Sequence, residues 1–244
     1  TLTNLGTGRL YGDHIAIKAN TLDNGAENGV AATLAARDRL DIAAGTLNNT
    51  GHGLIYSSVA MAIGGSLDAN FNATGIGGVL TNRGATIESG GDMRLDMNSI
   101  HNLNNHLVTE IVVAEVSNHH EAVLSGRTQR YDWSQVDTSD SNKYGVHAAK
   151  MPDGSSSREF YEYNYTRTVQ ETRVIETDPG KILSGGNLII NSDRMDNLDS
   201  QVIAAKVLGG VIRLLNNDPT NGVRIITDIG RQTRWYAKKP KPTS

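Results

Sequence analysis

Thr86-Ile87-Glu88-Ser89-Gly90-Gly91-Asp92-Met93-Arg94-Leu95 lines up without a gap on Lys181-Ile182-Leu183-Ser184-Gly185-Gly186-Asn187-Leu188-Ile189-Ile190, 95 positions further along the chain. The register continues beyond that stretch, because Ile100-His101-Asn102-Leu103 falls on Met195-Asp196-Asn197-Leu198. Self-similarity at a fixed offset marks a chain built by stacking one small unit that cannot bury its own apolar face alone. The offset is several units long, so a large segment is spliced between two neighbouring repeats.

Working outward, two short boxes alternate through the first hundred residues. An apolar-x-Asn box recurs as Leu2-Thr3-Asn4, Leu22-Asp23-Asn24, Leu47-Asn48-Asn49, Leu80-Thr81-Asn82 and Ile100-His101-Asn102. Between these lie apolar-x-apolar boxes, Ile15-Ala16-Ile17, Leu40-Asp41-Ile42, Leu67-Asp68-Ala69 and Met93-Arg94-Leu95. Alternation over a few residues, with Gly, Asn and Asp between, predicts half-buried strands joined by turns. The one stretch with helical propensity, Val30 to Ala36, lies inside the periodic region, and the repeat outweighs its alanines. Units of about 20 to 27 residues with short strands predict an all-β parallel β-helix, a solenoid in which every coil pairs with the next. Alternating small apolar side chains would fill its interior. Asn4, Asn24, Asn49, Asn82, Asn102 and Asn197 would stack, each amide bonding to the next. Gly90, Gly91, Gly185 and Gly186 are expected at turns that need positive φ. A β-sandwich or β-propeller competes, but a propeller blade takes ~40 to 45 residues and its signature is missing.

Composition narrows the classes. The 244 residues include 26 Gly, 5 Pro, 5% aromatics and no Cys, which leaves out disulfides and thiolate metal sites. A net charge of −3 gives no support for nucleic acid or an anionic membrane as partner. No apolar run approaches the roughly 20 residues of a membrane span. Thr1-Leu2-Thr3-Asn4 has neither the charged nor the apolar part of a signal peptide, so the chain is expected to be a fragment of something longer.

These boundaries predict β-helix coils over residues 1–107, an inserted β-rich, hairpin-like extension over 108–179, resumed coils over 180–215, and a looser excursion and linker over 216–244. The insertion holds Tyr131, Trp133, Tyr144, Phe160, Tyr161, Tyr163 and Tyr165, seven of the twelve aromatics of the chain. Leu107 to Val116 and Arg158 to Thr177 read as long strands, with Tyr161, Tyr163 and Tyr165 on one face by period two. An antiparallel pair is the economical arrangement. Gly222 to Trp235 would add one more strand pair, and Lys238-Lys239-Pro240-Lys241-Pro242 reads as a solvated linker.

The pattern Leu-x-Asn-x-Gly-x-Ile-x-Ser-Gly-Gly-x-Leu-x-Ile across Leu80 to Leu95 resembles the haemagglutinin repeat of filamentous haemagglutinin and CdiA-type two-partner secretion exoproteins. Thr166-Arg167-Thr168 to Leu188, through Glu176-Thr177-Asp178-Pro179-Gly180, resembles a recurrent re-entry segment of the same proteins. The resemblance implies a right-handed β-helical stalk, exported through an outer-membrane two-partner transporter and displayed on a Gram-negative cell. In contact-dependent growth inhibition members, which deliver a C-terminal toxin, a region between repeat blocks recognises a receptor on the target bacterium. An aromatic insertion between coils is similar to that arrangement, and nothing here resembles the toxin.

The expected function is therefore adhesion or target-cell recognition through the insertion, with no enzyme activity and no cofactor. The partner would be an outer-membrane or surface receptor, protein or glycan. Tyr and Trp give large contact area at low entropy cost, so the seven aromatics are the receptor-binding candidates. Their plainer role is packing the extension. His101, His106, His119, His120 and His147 fit no recognised zinc spacing and read as solvated loop histidines. Asp137, Asp140 and Asn142 only weakly resemble a calcium loop. The alternatives are a purely structural shaft and a carbohydrate-active β-helix. For the latter, Asp41, Asp68 and Arg94 would have to converge, whereas alternation points the middle residue of each box to solvent.

Overall fold

The computed structural model describes residues 1–143 and 145–237. Tyr144 and the 238–242 linker expected from the sequence lie outside them. The described chain is all-β, its only helical element a 3-10 turn at Trp133–Gln135. It divides into two compact units. One comprises Thr1–Thr109 and Val174–Asn221, the other Glu110–Arg173 and the chain from Gly222.

The first unit is built on a 13-stranded sheet whose long neighbours all run parallel. Each repeat places its apolar residues opposite those of the next. Leu22, Leu47, Leu80, Ile100 and Met195 are successive partners. Leu34, Ile55, Ile87 and Ile182 form a second column, and Ile42, Ile63, Leu95 and Ile190 a third. All of these side chains are essentially inaccessible to water and form one continuous core. At ~1.5–3 kcal/mol for each fully buried Leu or Ile, this column packing is the main force that selects the register. A slip by one residue would turn every column outward. Val30–Ala31 and Thr33–Thr50 are strands, so column burial overrides the helical preference of the alanines there.

Beside the apolar columns runs a buried ladder of asparagines. The Asn4 Nδ2 donates to Asn24 Oδ1 at 2.8 Å, Asn24 to Asn49 at 2.8 Å, and Asn49 to Asn82 at 2.9 Å. Asn82 donates to Asn102 at 2.8 Å, Asn102 to Asn197 at 2.7 Å, and Asn197 to Asn217 at 2.7 Å. The remaining amide capacity goes to backbone carbonyls such as those of Ala85, Lys181 and Gly180. A primary amide carries two donors and an acceptor, so each Asn can bond the rungs on both sides and a backbone carbonyl as well. Asn102 and Asn197 are bonded across 95 residues, which ties the repeats on either side of the splice as closely as sequence neighbours.

Two expectations are corrected here. Leu67-Asp68-Ala69 is not a strand of the parallel sheet. Met61-Ala62-Ile63 takes that place, opposite Leu40-Asp41-Ile42 on one side and Met93-Arg94-Leu95 on the other. Leu67 instead pairs with Ala73 in a small antiparallel hairpin separate from the parallel sheet. Two apolar-x-apolar triplets lie six residues apart, and the even spacing selected the wrong one because the hairpin adds residues to this turn. Nor do Gly90, Gly91, Gly185 and Gly186 have positive φ, a conformation found at Gly6, Gly51 and Gly84 among others. They are glycines because rungs meet there backbone to backbone. A Cβ on Gly90 would strike the Ser58 carbonyl oxygen, and one on Gly185 the Gly90 carbonyl oxygen. The same approach allows Gly185 N–H to donate to Ser89 O at 2.8 Å and Gly186 N–H to Gly91 O at 3.0 Å.

The second unit contains a four-stranded sheet in the order Tyr131–Asp132, Leu107–Leu124, Phe160–Thr177, Arg224–Trp235. A strand pair was expected over Gly222 to Trp235, in a looser excursion over 216–244, but that stretch holds the single strand Arg224–Trp235. It runs antiparallel to Phe160–Thr177 in unbroken register, from Phe160 opposite Trp235 to Glu171 opposite Arg224. Ala122, Leu124, Ala149, Met151 and Phe160 form a separate small core, with Tyr131, Trp133 and Val136 packed against it.

Candidate functional site

Strand alternation sorts the insertion aromatics onto opposite faces of the second sheet. Tyr161, Tyr163 and Tyr165 share one face, each beneath a guanidinium. Arg234 lies 5.8 Å from the Tyr161 ring centroid, Arg130 3.8 Å from Tyr163, and Arg167 5.6 Å from Tyr165. Arg167 is held by two 2.8 Å hydrogen bonds to Asp228, and that pairing keeps the Asp228 carboxyl below its ordinary value. Tyr165 is nearly buried and stacks on His119 at 4.9 Å, and burial raises its phenol above the usual value, with Glu121 adding to the effect. Tyr163 Oη accepts a hydrogen bond from Gln232 at 3.2 Å. On this face the rings are occupied by their own arginines.

The other face is different. Phe160 forms the floor, stacked on Trp235 at 5.8 Å and 11° and tilted against Trp133 at 6.4 Å and 41°. His120 stacks on Trp133 at 4.5 Å and 9°. One carboxylate ties the two walls together. Glu162 accepts from Trp235 Nε1 at 2.8 Å through one oxygen and from His120 Nε2 at 2.8 Å through the other. The result is a cleft of about 230 Å³ lined by Trp133, Thr138, His147, Phe160 and Trp235. Trp235 as a residue remains 41% exposed, so it is accessible to a ligand.

Of the sequence candidates, then, Trp133 and Phe160 are brought together in the cleft, with Phe160 as a buried floor. Tyr161, Tyr163 and Tyr165 lie on the opposite face, Tyr131 packs the small core, and Tyr144 is outside the described residues. Trp235 and Glu162 were missed, and His120 and His147 were read only as solvated loop histidines. The signal for Trp235 exists only in three dimensions, because it needs the antiparallel register that sets it beside Phe160, 75 residues away. His119 and His120 lie on a strand against rings, not in solvated loops.

A second cluster lies in the first unit and corrects the reading of Asp41 as solvent-facing. Asp41 has no exposed surface, because the hairpin at 66–74 folds over it. Its carboxylate accepts from His14 Nε2 at 2.9 Å, from Arg39 Nε at 2.6 Å, from Arg39 Nη2 at 3.0 Å and from the Ala73 amide at 2.7 Å. Burial alone would raise its pKa, but the bonds from Arg39, Ala73 and His14 outweigh it and the group sits below its ordinary value. With every lone-pair direction taken, this anion is a structural pin. Asp68 stays exposed on the hairpin, bonded to Asn70 and Asn72. Arg94 pairs instead with Asp96, so the three do not converge.

The depressed pKa has a thermodynamic sign. The unfolded chain binds a proton at Asp41 near the model-peptide value of about 3.9, and the folded chain only at lower pH. The stabilisation is therefore complete above that value and lost as pH falls through the folded pKa. Asp41→Asn is expected to cost ~2–3 kcal/mol near neutral pH, since charged hydrogen bonds become neutral ones. The gap between the urea midpoints of the two proteins should narrow as pH is lowered from 7 to 3. A gap that is constant with pH would contradict this assignment.

No helix among the described residues is long and apolar enough to cross a membrane. No protein-family model, curated protein or solved structure matches the chain.

Proposed function

We propose that this chain is a non-enzymatic recognition segment of a secreted, cell-surface filamentous exoprotein of a Gram-negative bacterium, exported through an outer-membrane two-partner transporter. In this reading the first unit winds as a right-handed parallel β-helix and serves as a stiff stalk. Its support is the unbroken parallel register of columns and asparagines from Leu2 to Asn217. The second unit engages a receptor on a target cell.

The observation that carries the reading is the aromatic cleft. Aromatic residues are scarce in this chain, and two tryptophans are held there around a phenylalanine floor with Trp235 left accessible to solvent. Exposed Trp is a frequent anchor of binding sites. The bulk of the first unit is repetitive packing, with its buried polar groups satisfied by one another.

The test compares the full chain with one lacking 110–173 and 222–244, closed by an Asn-Gly turn between Thr109 and Val174. Both are labelled and titrated onto Gram-negative cells. The full chain is expected to bind saturably and the shortened one to lose that binding while keeping its β-sheet circular dichroism. Equal binding by both would leave the stalk reading alone standing.

A further inference from the structure

Resting on the recognition reading, we propose that the Trp133–Phe160–Trp235 cleft takes a single pyranose ring of a surface glycan. Four features of the cleft point to that ligand. The first is what lines it. Among the described residues the walls are aromatic, with Thr138 and His147 at the polar positions and no Leu, Ile, Val or Met. A flat π-face matches the C–H-rich face of a sugar ring, whereas an aliphatic or lipid chain is better held by aliphatic walls that mould around it.

The second is preorganisation. Trp235 is fixed by its indole N–H on Glu162, and donation to a carboxylate makes the ring richer in electrons and a better partner for polarised C–H groups. Trp133 is backed by His120, whose Nε2–H is anchored on the same carboxylate. Little side-chain freedom is left to lose on binding.

The third is the polar rim. Thr138 supplies a hydroxyl that both donates and accepts. His147 Nδ1 lies 2.8 Å from the Thr138 carbonyl oxygen, which can only accept. Nδ1 therefore donates there, which leaves Nε2 for a sugar hydroxyl, a group that both donates and accepts. The fourth is size, since about 230 Å³ is below the roughly 300–1,000 Å³ of sites for drug-sized ligands and suits one ring. An aromatic cage can also hold an organic cation through the ring quadrupole, and that occupant is an outcome of the experiment below. Both oxygens of Glu162 already accept N–H bonds from the cleft walls, so that carboxylate is engaged by the rings it holds.

The experiment is a titration of the full chain, followed by tryptophan fluorescence and by saturation-transfer NMR, with methyl glycosides of hexoses and N-acetylhexosamines. Tetramethylammonium and an arginine amide serve as cationic probes. At least one glycoside is expected to saturate the signal. Trp235→Ala should weaken it tenfold or more and Thr138→Val several-fold, the second substitution leaving all three rings in place. Tyr11→Ala, on an exposed ring of the first unit, should change nothing. A flat response to every glycoside, saturation by the cations instead, or indifference to both cleft substitutions would overturn the proposal. The two readings separate cleanly. If cells lose the shortened chain while no glycoside binds, the sugar site fails and recognition stands. If glycosides bind and cells hold the shortened chain as well as the full one, recognition fails and the sugar site stands.

Discussion

Asn82→Ala is expected to lower the unfolding free energy by ~3–5 kcal/mol, because it leaves several buried polar groups short of partners at ~1–3 kcal/mol each. Asn82 is fully buried in the middle of the ladder. It accepts from Asn49 and shares its two amide hydrogens among Ala85 O, Asn102 Oδ1 and Lys181 O. Alanine cannot replace any of these bonds. Asn49 retains a bond to Thr86 O, which limits the loss on that side. Asn98→Ala, at an exposed asparagine off the ladder, should stay within about 0.5 kcal/mol of the parent. Urea unfolding of the three proteins decides it. Similar midpoints for Asn82→Ala and Asn98→Ala would mean that the ladder contributes little to stability.

Leu95→Ala is expected to cost ~3–5 kcal/mol, the upper part of the range for buried Leu→Ala changes. Leu95 sits between Ile63 and Ile190 in one column with no exposed surface. The rungs above and below are pinned by backbone pairing, so the cavity cannot close by a shift of one strand. Leu95→Met, which nearly conserves volume, should cost less than about 1.5 kcal/mol. Met61 and Met93 already fill a neighbouring column, so the interior accepts that shape. Thermal or urea unfolding of both variants checks the pair. Equal losses from Ala and Met would point to a site that depends on shape and not on filled volume.

The repeat units and their β character were legible because burial in a stack imposes period two within strands and near-identity between rungs. The asparagine boxes could be read from spacing alone. The phase of one repeat could not, since Met61-Ala62-Ile63 and Leu67-Asp68-Ala69 are the same pattern to a one-dimensional reading. Only the hairpin pairing of Leu67 with Ala73 separates them. The glycines of the Ser-Gly-Gly corners were located but given the wrong physics, because close approach between rungs leaves no mark in the local sequence. Asp41 appears exposed by alternation and is covered by a segment 32 positions away. The cleft was half visible. Trp133 and Phe160 stood out by composition, whereas Trp235, Glu162 and His120 join them only through long-range strand pairing.

The most direct test exploits the absence of cysteine in the chain. Glu88 and Leu183 are register partners on adjacent parallel strands, either side of the insertion. Such neighbours lie about 4.8 Å apart, within the roughly 4.4–6.8 Å that a disulfide spans between Cα atoms. Under mild oxidation Glu88→Cys with Leu183→Cys should form an intramolecular disulfide in high yield, seen by mass spectrometry of the unreduced chain. The off-register pair Glu88→Cys with Lys181→Cys should form little. Efficient closure of the off-register pair, or none of the in-register one, would contradict the stacking of repeats across the splice.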